Sequence, residues 1–159
     1  MPADTQRVAV TRDLAAPAAA IFDLITDPQG HVRLDGSGML VATSEVARLA
    51  AVGDTFVVDM DREPLGDLPW GRYAVRNTVT RLVPGALVEW DVASVDHHKS
   101  LGHVYGYELE PLADGGTRVT SYCDWSGLNP KLRDKMTFPV VPIEMMEQTL
   151  DNLAALVAG

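Results

Sequence analysis

PIEMMEQTLDNLAALVAG, residues 142–159, carries a helical stripe that needs a partner surface. Ile143, Met146, Leu150, Leu153 and Val157 recur at spacings of 3, 4, 3 and 4, the period of one helix face. Glu144, Glu147, Gln148 and Asp151 occupy the opposite face. Acidic residues in the first turn suit the positive end of the helix dipole, and Gly159 lies just past the last turn. At 1.5 Å per residue, Pro142–Val157 spans about 24 Å, enough to cross a sheet diagonally.

The surface it needs lies upstream, where the apolar period changes to two. Phe56, Val58 and Met60 share a face opposite Asp59, and Tyr73, Val75, Asn77 and Val79 lie opposite Arg72, Arg76, Thr78 and Thr80. The Pro84-Gly85 turn leads into Val88, Trp90 and Val92, which alternate with Glu89 and Asp91. Leu101, His103, Tyr105, Tyr107 and Leu109 form the next run. Asp114-Gly115-Gly116 is a hairpin signal, after which Val119, Ser121, Cys123 and Trp125 share a face. Such alternation predicts an antiparallel sheet with one covered face. Val8 and Val10 read as a first strand ending near Leu14. Pro17 then sits at the first position of a helix carrying Ala18, Ile21, Phe22 and Ile25. Asp27-Pro28 stops that helix, a second follows over Gln29–Leu34, and Asn129-Pro130 opens a short one through about Met136. The fold class is α+β.

Composition narrows the function. The 159 residues, 47 % of them hydrophobic, suit a single domain over residues 1–159. A chain of this length buries roughly 70 % of its unfolded surface without staples. Thirteen basic against 22 acidic side chains give a net charge of −9, which argues against nucleic acid or an anionic membrane as the main partner. The single Cys123 rules out an internal disulfide framework or a Cys-rich zinc site. No run approaches the roughly 18 apolar residues of a membrane span. The opening MPADTQRV has no signal-peptide pattern, so a cytoplasmic, monomeric or homodimeric protein without stable membrane insertion is expected.

The order of elements resembles the helix-grip fold of the START-related (SRPBCC) superfamily, in particular its bacterial polyketide cyclase/dehydrase-like members. Leu14-x-x-Pro17 and Ile21-Phe22-x-Leu24-Ile25-x-Asp27-Pro28 carry the resemblance at the start of the chain. Tyr107-x-Leu109-x-Pro111, Gly116-Thr117-x-Val119-Thr120, Asp124-Trp125-Ser126-Gly127 and the final helix carry the rest. It implies a curved sheet of about six or seven strands wrapped around the last helix, with an apolar cavity between them. The lining it implies is Val58, Met60, Tyr73, Val75, Asn77, Trp90, His103, Tyr105, Val119 and Ser121 from the sheet, with Met146 and Leu150 from the helix. The same residues would equally fill a solid core.

Asn77, His103, Ser121 and the tyrosines Tyr73, Tyr105 and Tyr107 interrupt otherwise apolar faces, as the few polar groups of an apolar binding cavity do. His103, with an ordinary near-neutral pKa, is the candidate general acid/base, provided the strand register points it inward. Asp96-His97-His98-Lys99 reads as a solvated loop at the cavity mouth rather than a metal site, because adjacent histidines on extended chain diverge. His31 reads as a structural residue bonded to Asp35 or capping a turn. Gly36-Ser37-Gly38 lacks the lysine and helix of a phosphate cradle. Cys123 reads as a small buried hydrophobe, and Asp124 as the partner of Arg118 or Arg76, with Trp125 packed at the base of the last helix. Arg62–Trp70 reads as a long, mobile hairpin loop beside the cavity. Two functions follow: binding of a small hydrophobic ligand (lipid-like, aromatic or polyketide-like), or catalysis of the cyclase, aromatase or dehydratase type in the same cavity. A protein-interaction module is disfavoured by the acidic composition. No cofactor or metal is implied.

Overall fold

In a computed structural model, which describes residues 6–95 and 100–158, the chain begins with β1 (Arg7–Leu14), α1 (Ala18–Ile25) and α2 (Pro28–Leu34). Then come β2 (Leu40–Ala42), β3 (Thr55–Asp61), β4 (Arg72–Val83), β5 (Leu87–Ser94), β6 (Val104–Pro111) and β7 (Thr117–Asp124). The last helix is α3 (Ile143–Ala158). Short 3₁₀ turns lie at Glu63–Leu65 and Pro130–Leu132. The strands form one antiparallel sheet of 7 in the order β1-β7-β6-β5-β4-β3-β2, with α3 running against β1 and β7. The register slips between Val79 and Arg81 where β4 meets β5. Such a bulge bends a strand and increases its twist. The alternating pattern and the final stripe predict the covered antiparallel sheet, and the whole is the helix-grip architecture that the family resemblance implies.

Differences from the sequence expectations have local causes. Pro17 is the N-cap of α1 rather than its first helical residue, with ψ 150° leaving the chain extended there. Asp27 caps α2 instead: its side chain accepts from the Gln29 N–H, and Pro28 takes the first turn. β2, three residues long, was too short to show any period. β6 begins at Val104, so Leu101 and His103 precede the strand instead of belonging to it. The expected helix through Met136 is only the 3₁₀ turn Pro130–Leu132, capped by the Asn129 side chain. The Asp96–Lys99 loop and Gly159 lie outside the described residues.

Helix α3 is held by its stripe and by polar pins. Met146, Leu150 and Leu153 are buried, but Ile143, in the first turn, is 43 % exposed and takes no part in the seal. Asp151 pairs with Arg12 on β1, and the Thr149 hydroxyl accepts from the Gly36 N–H at 2.8 Å. Gly36 explains its own identity here, because a Cβ would stand 2.6 Å from the Thr149 nitrogen and force the helix away.

On the outer face, Glu89, Gly106 and Tyr122 occupy one row across three strands. The Tyr122 ring lies flat over Gly106, where a Cβ would meet it at 2.4 Å, and its hydroxyl donates to Glu89 at 2.5 Å. The Arg7 guanidinium covers the ring at 4.1 Å. A buried carboxylate is thereby bonded. Asp124 accepts from the Ser126 N–H and hydroxyl, while Arg118, one of the partners expected for it, pairs with Asp13 instead.

Candidate functional site

Between the sheet, α2 and α3 lies a cavity of about 170 Å³. Its walls follow from strand parity. Tyr73, Val75 and Asn77 point inward from β4, Trp90 and Val92 from β5, Tyr105 and Tyr107 from β6, and Ser121 from β7. Met60 comes from β3, His103 from the turn before β6, and Met146 and Thr149 from α3. Val58, Val119 and Leu150 are not part of this wall. They are 0 %, 0 % and 2 % exposed in the solid core, one turn or one pair of residues deeper than the lining. The cavity and filled-core readings therefore each describe part of the interface, and Val75, Trp90, Tyr107 and Met146 belong to both.

Aromatic rings form part of the apolar wall, beside Leu, Val and Met side chains. Trp90 lies 6.3 Å from Tyr105 and 5.9 Å from Tyr107 between ring centroids, and His31 stands edge-on to Trp90 at 4.7 Å and to Phe56 at 5.0 Å. His31 does not bond Asp35. Its Nε2 lies 2.6 Å from the Ile25 carbonyl, which can only accept, so Nε2 carries the proton. Burial pulls its pKa down and keeps the ring neutral. The sequence reading missed that His31 lines the cavity; its signal is Leu34 three residues on, which puts both on the inner face of α2.

Two polar atoms on this wall, His103 Nδ1 and Asn77 Oδ1, are buried without a hydrogen-bond partner among the described residues. Native proteins leave few such atoms dry. Burial, with the Arg62 charge as a smaller cause, pushes the His103 pKa down to about 4. This overturns the expectation of a near-neutral histidine: at pH 7 the ring is neutral. Burial likewise raises the pKa values of Tyr105 and Tyr107, keeping both phenols protonated. Cys123 is buried as expected and is pushed up to about 12, mainly by burial.

Arg62 is the residue that sequence reasoning missed. It belongs to the Phe56-Val58-Met60 parity carried one step further, but the Pro64, Gly66 and Pro69 that follow made it look like loop. It is 2 % exposed and lines the cavity. Its Nε and Nη2 donate to the Asp67 carboxylate at 2.8 and 2.7 Å, and its guanidinium lies 4.7 Å over the Trp70 ring. The Arg62–Trp70 segment is thus organised around a buried cation and the 3₁₀ turn Glu63–Leu65. Trp125 stacks on Phe138, whose ring also meets His103 edge-on at 4.9 Å, ahead of α3. Among the described residues no group of three or more His, Cys, Asp or Glu side chains is placed to hold a metal ion, and no helix is long and apolar enough to cross a membrane.

Comparison with known proteins agrees with this architecture. The profile of a family described as "Polyketide cyclase / dehydrase and lipid transport" matches residues 5–158. The curated Mycobacterium tuberculosis protein "Uncharacterized protein Rv0088" is 37 % identical over 119 residues, 75 % of this chain and 47 % of the relative. The chain therefore spans about half the length of that curated relative, at 47 %. The crystal structure of protein CV1439 from Chromobacterium violaceum aligns with TM-score 0.67 at 21 % identity, covering 100 % of this chain and 99 % of that one. Ginseng major latex-like protein 151 from Panax ginseng aligns with TM-score 0.66 at 11 % identity, covering 96 % and 97 %. At such identities these structures establish a shared fold and no more.

Proposed function

The chain belongs to the polyketide cyclase / dehydrase and lipid transport family, and from that premise we propose that it binds a small, largely apolar molecule in the cavity between sheet and α3. The observation that carries the reading is the pair of unpartnered polar atoms, His103 Nδ1 and Asn77 Oδ1, on a mainly apolar wall. A bound molecule with one or two polar groups would complete them. Size narrows the choice. A cavity of about 150 Å³ admits benzene, so the 170 Å³ here suits a single substituted ring better than an extended acyl chain. The binding residues of this reading are Met60, Tyr73, Val75, Asn77, Trp90, His103, Tyr105, Tyr107, Ser121 and Met146, to which the cavity adds Arg62 and His31.

A cyclase- or dehydratase-type activity needs a proton carrier poised near working pH. His103 at about 4 and two phenols pushed upward do not supply one, which favours binding over catalysis. Native mass spectrometry of the purified protein, with and without added indole as a one-site apolar probe, tests the reading. A co-purified small molecule, or a saturable 1:1 indole adduct, is the expected result. Loss of both adducts under conditions that preserve the fold would remove the basis for ligand binding.

A further inference from the structure

On the reading that this cavity is a ligand site, we propose that it takes a small aromatic carboxylic acid whose carboxylate sits against the Arg62 guanidinium. The first ground is the placement of charge. Among the described residues, Arg62 is the one cationic side chain of the lining, and Asp67 is the carboxylate paired with it. The two partners face different media: the Arg62 side chain is 3 % exposed and that of Asp67 39 %. Water screens the anion while the cation acts inward through a low-dielectric wall. Its reach is visible, since Arg62 adds to the downward shift of His103 and opposes the upward shift of Tyr105.

The second ground is the other charge of the lining. Asp35 also lines the cavity, its carboxylate already taking hydrogen bonds from the N–H groups of Ser37, Gly38 and Leu40 and from the Ser37 hydroxyl. Its negative charge is felt by Tyr107, where it adds to the effect of burial. The lining therefore carries one cation, Arg62, and a carboxylate, Asp35, that is already held by four hydrogen bonds. A monoanion with an apolar body would set its charge against Arg62 and away from Asp35.

The remaining chemistry agrees. A guanidinium has five N–H donors; Asp67 takes two, and the Tyr73 hydroxyl is a further partner, so donors remain for a ligand. His103 Nδ1, unpartnered and on a residue 3 % exposed, supplies a second polar contact in the field of Arg62. Guanidinium geometry matches a carboxylate. A phosphate dianion would need a second cation that the described lining lacks.

The test compares 4-ethylbenzoate with 4-ethylbenzamide, which has the same shape without the charge, and with ethylbenzene, by titration calorimetry at pH 7.5. The acid is expected to bind about 10–100-fold tighter than the amide, the range for a hydrogen bond to a charged group. Arg62→Met should erase that preference. Asp67→Asn, which withdraws the competing carboxylate, should strengthen binding of the acid and leave ethylbenzene unchanged. An amide that binds the wild-type protein as tightly as the acid overturns the carboxylate assignment while the cavity remains a ligand site. Failure of all three probes to bind would instead overturn the ligand-site reading itself. The wild-type comparison decides between these outcomes even if the Arg62 variant does not fold.

Discussion

His103 shows how one buried side chain links the site to stability. Its pKa falls from 6.5 to about 4 in the folded protein, chiefly through burial. Above pH 6.5 the ring is neutral folded or unfolded, and nothing depends on it. Between pH 6.5 and 4 the unfolded chain takes up a proton that the folded chain refuses, so stability falls as pH falls. Below pH 4 the loss is complete, at about 3 kcal/mol for a shift of this size. His31, also pulled down by burial, adds in the same direction. Urea melts at pH 7 and pH 4.5 should show the wild type losing about 2–3 kcal/mol more than His103→Gln, whose amide does not titrate. Equal losses in the two proteins would mean that His103 is not held neutral by the fold. The residue also marks a limit of sequence reading. Alternation put His103 on a strand face, whereas it lies in the turn before β6 and its environment depends on Phe138 and Arg62, distant in sequence. Arg62 itself was hidden because a lone cation after a strand is normally a solvated end.

At the scale of elements, the space between α3 and the sheet is part filled core and part cavity, and two substitutions should tell the two apart. Val75 on β4 lines the cavity, whereas Leu150 on α3 is 2 % exposed in the core. Val75→Phe directs a ring toward the cavity and should cost less stability than Leu150→Trp while abolishing binding of an apolar probe. Leu150→Trp overpacks a filled site and should cost about 1–3 kcal/mol or more. Thermal melts paired with fluorescence titration of an apolar dye read both effects; a severe loss of stability in Val75→Phe would mean the cavity is not open to a side chain. The elements were legible because period two and period 3.6 are properties of each segment alone. Which residues sit over empty space was not. Val58 and Met60 share a face, yet only Met60 reaches the cavity, while Val58 is enclosed in the core. β2 escaped notice for the opposite reason: with Leu40–Ala42 as its whole extent, it has no pattern to read.

For the molecule as a whole, the sheet has one covered face and α3 is a major part of the cover. Its buried Met146, Leu150 and Leu153 meet a core that includes Val10, Leu14 and Val119 from the sheet and Ile21, Ile25 and Leu34 from the first two helices. Losing the helix uncovers these groups together, and each fully buried aliphatic side chain is worth about 1.5–3 kcal/mol. Three such residues on the helix alone approach the total stability of about 5–15 kcal/mol typical of a domain. The loss also removes the Thr149 hydroxyl from the Gly36 N–H and Asp151 from Arg12, so the α2–β2 connection and the β1 edge each lose a partner. A chain ending at Pro139 should therefore show no cooperative thermal transition, and its exposed apolar face should bind hydrophobic dye without saturation. A sharp transition in that truncated chain would show that the sheet and the first two helices form a stable unit by themselves. The cavity would then lie on an open groove, and α3 would act as a cover added to a finished fold instead of as part of its core.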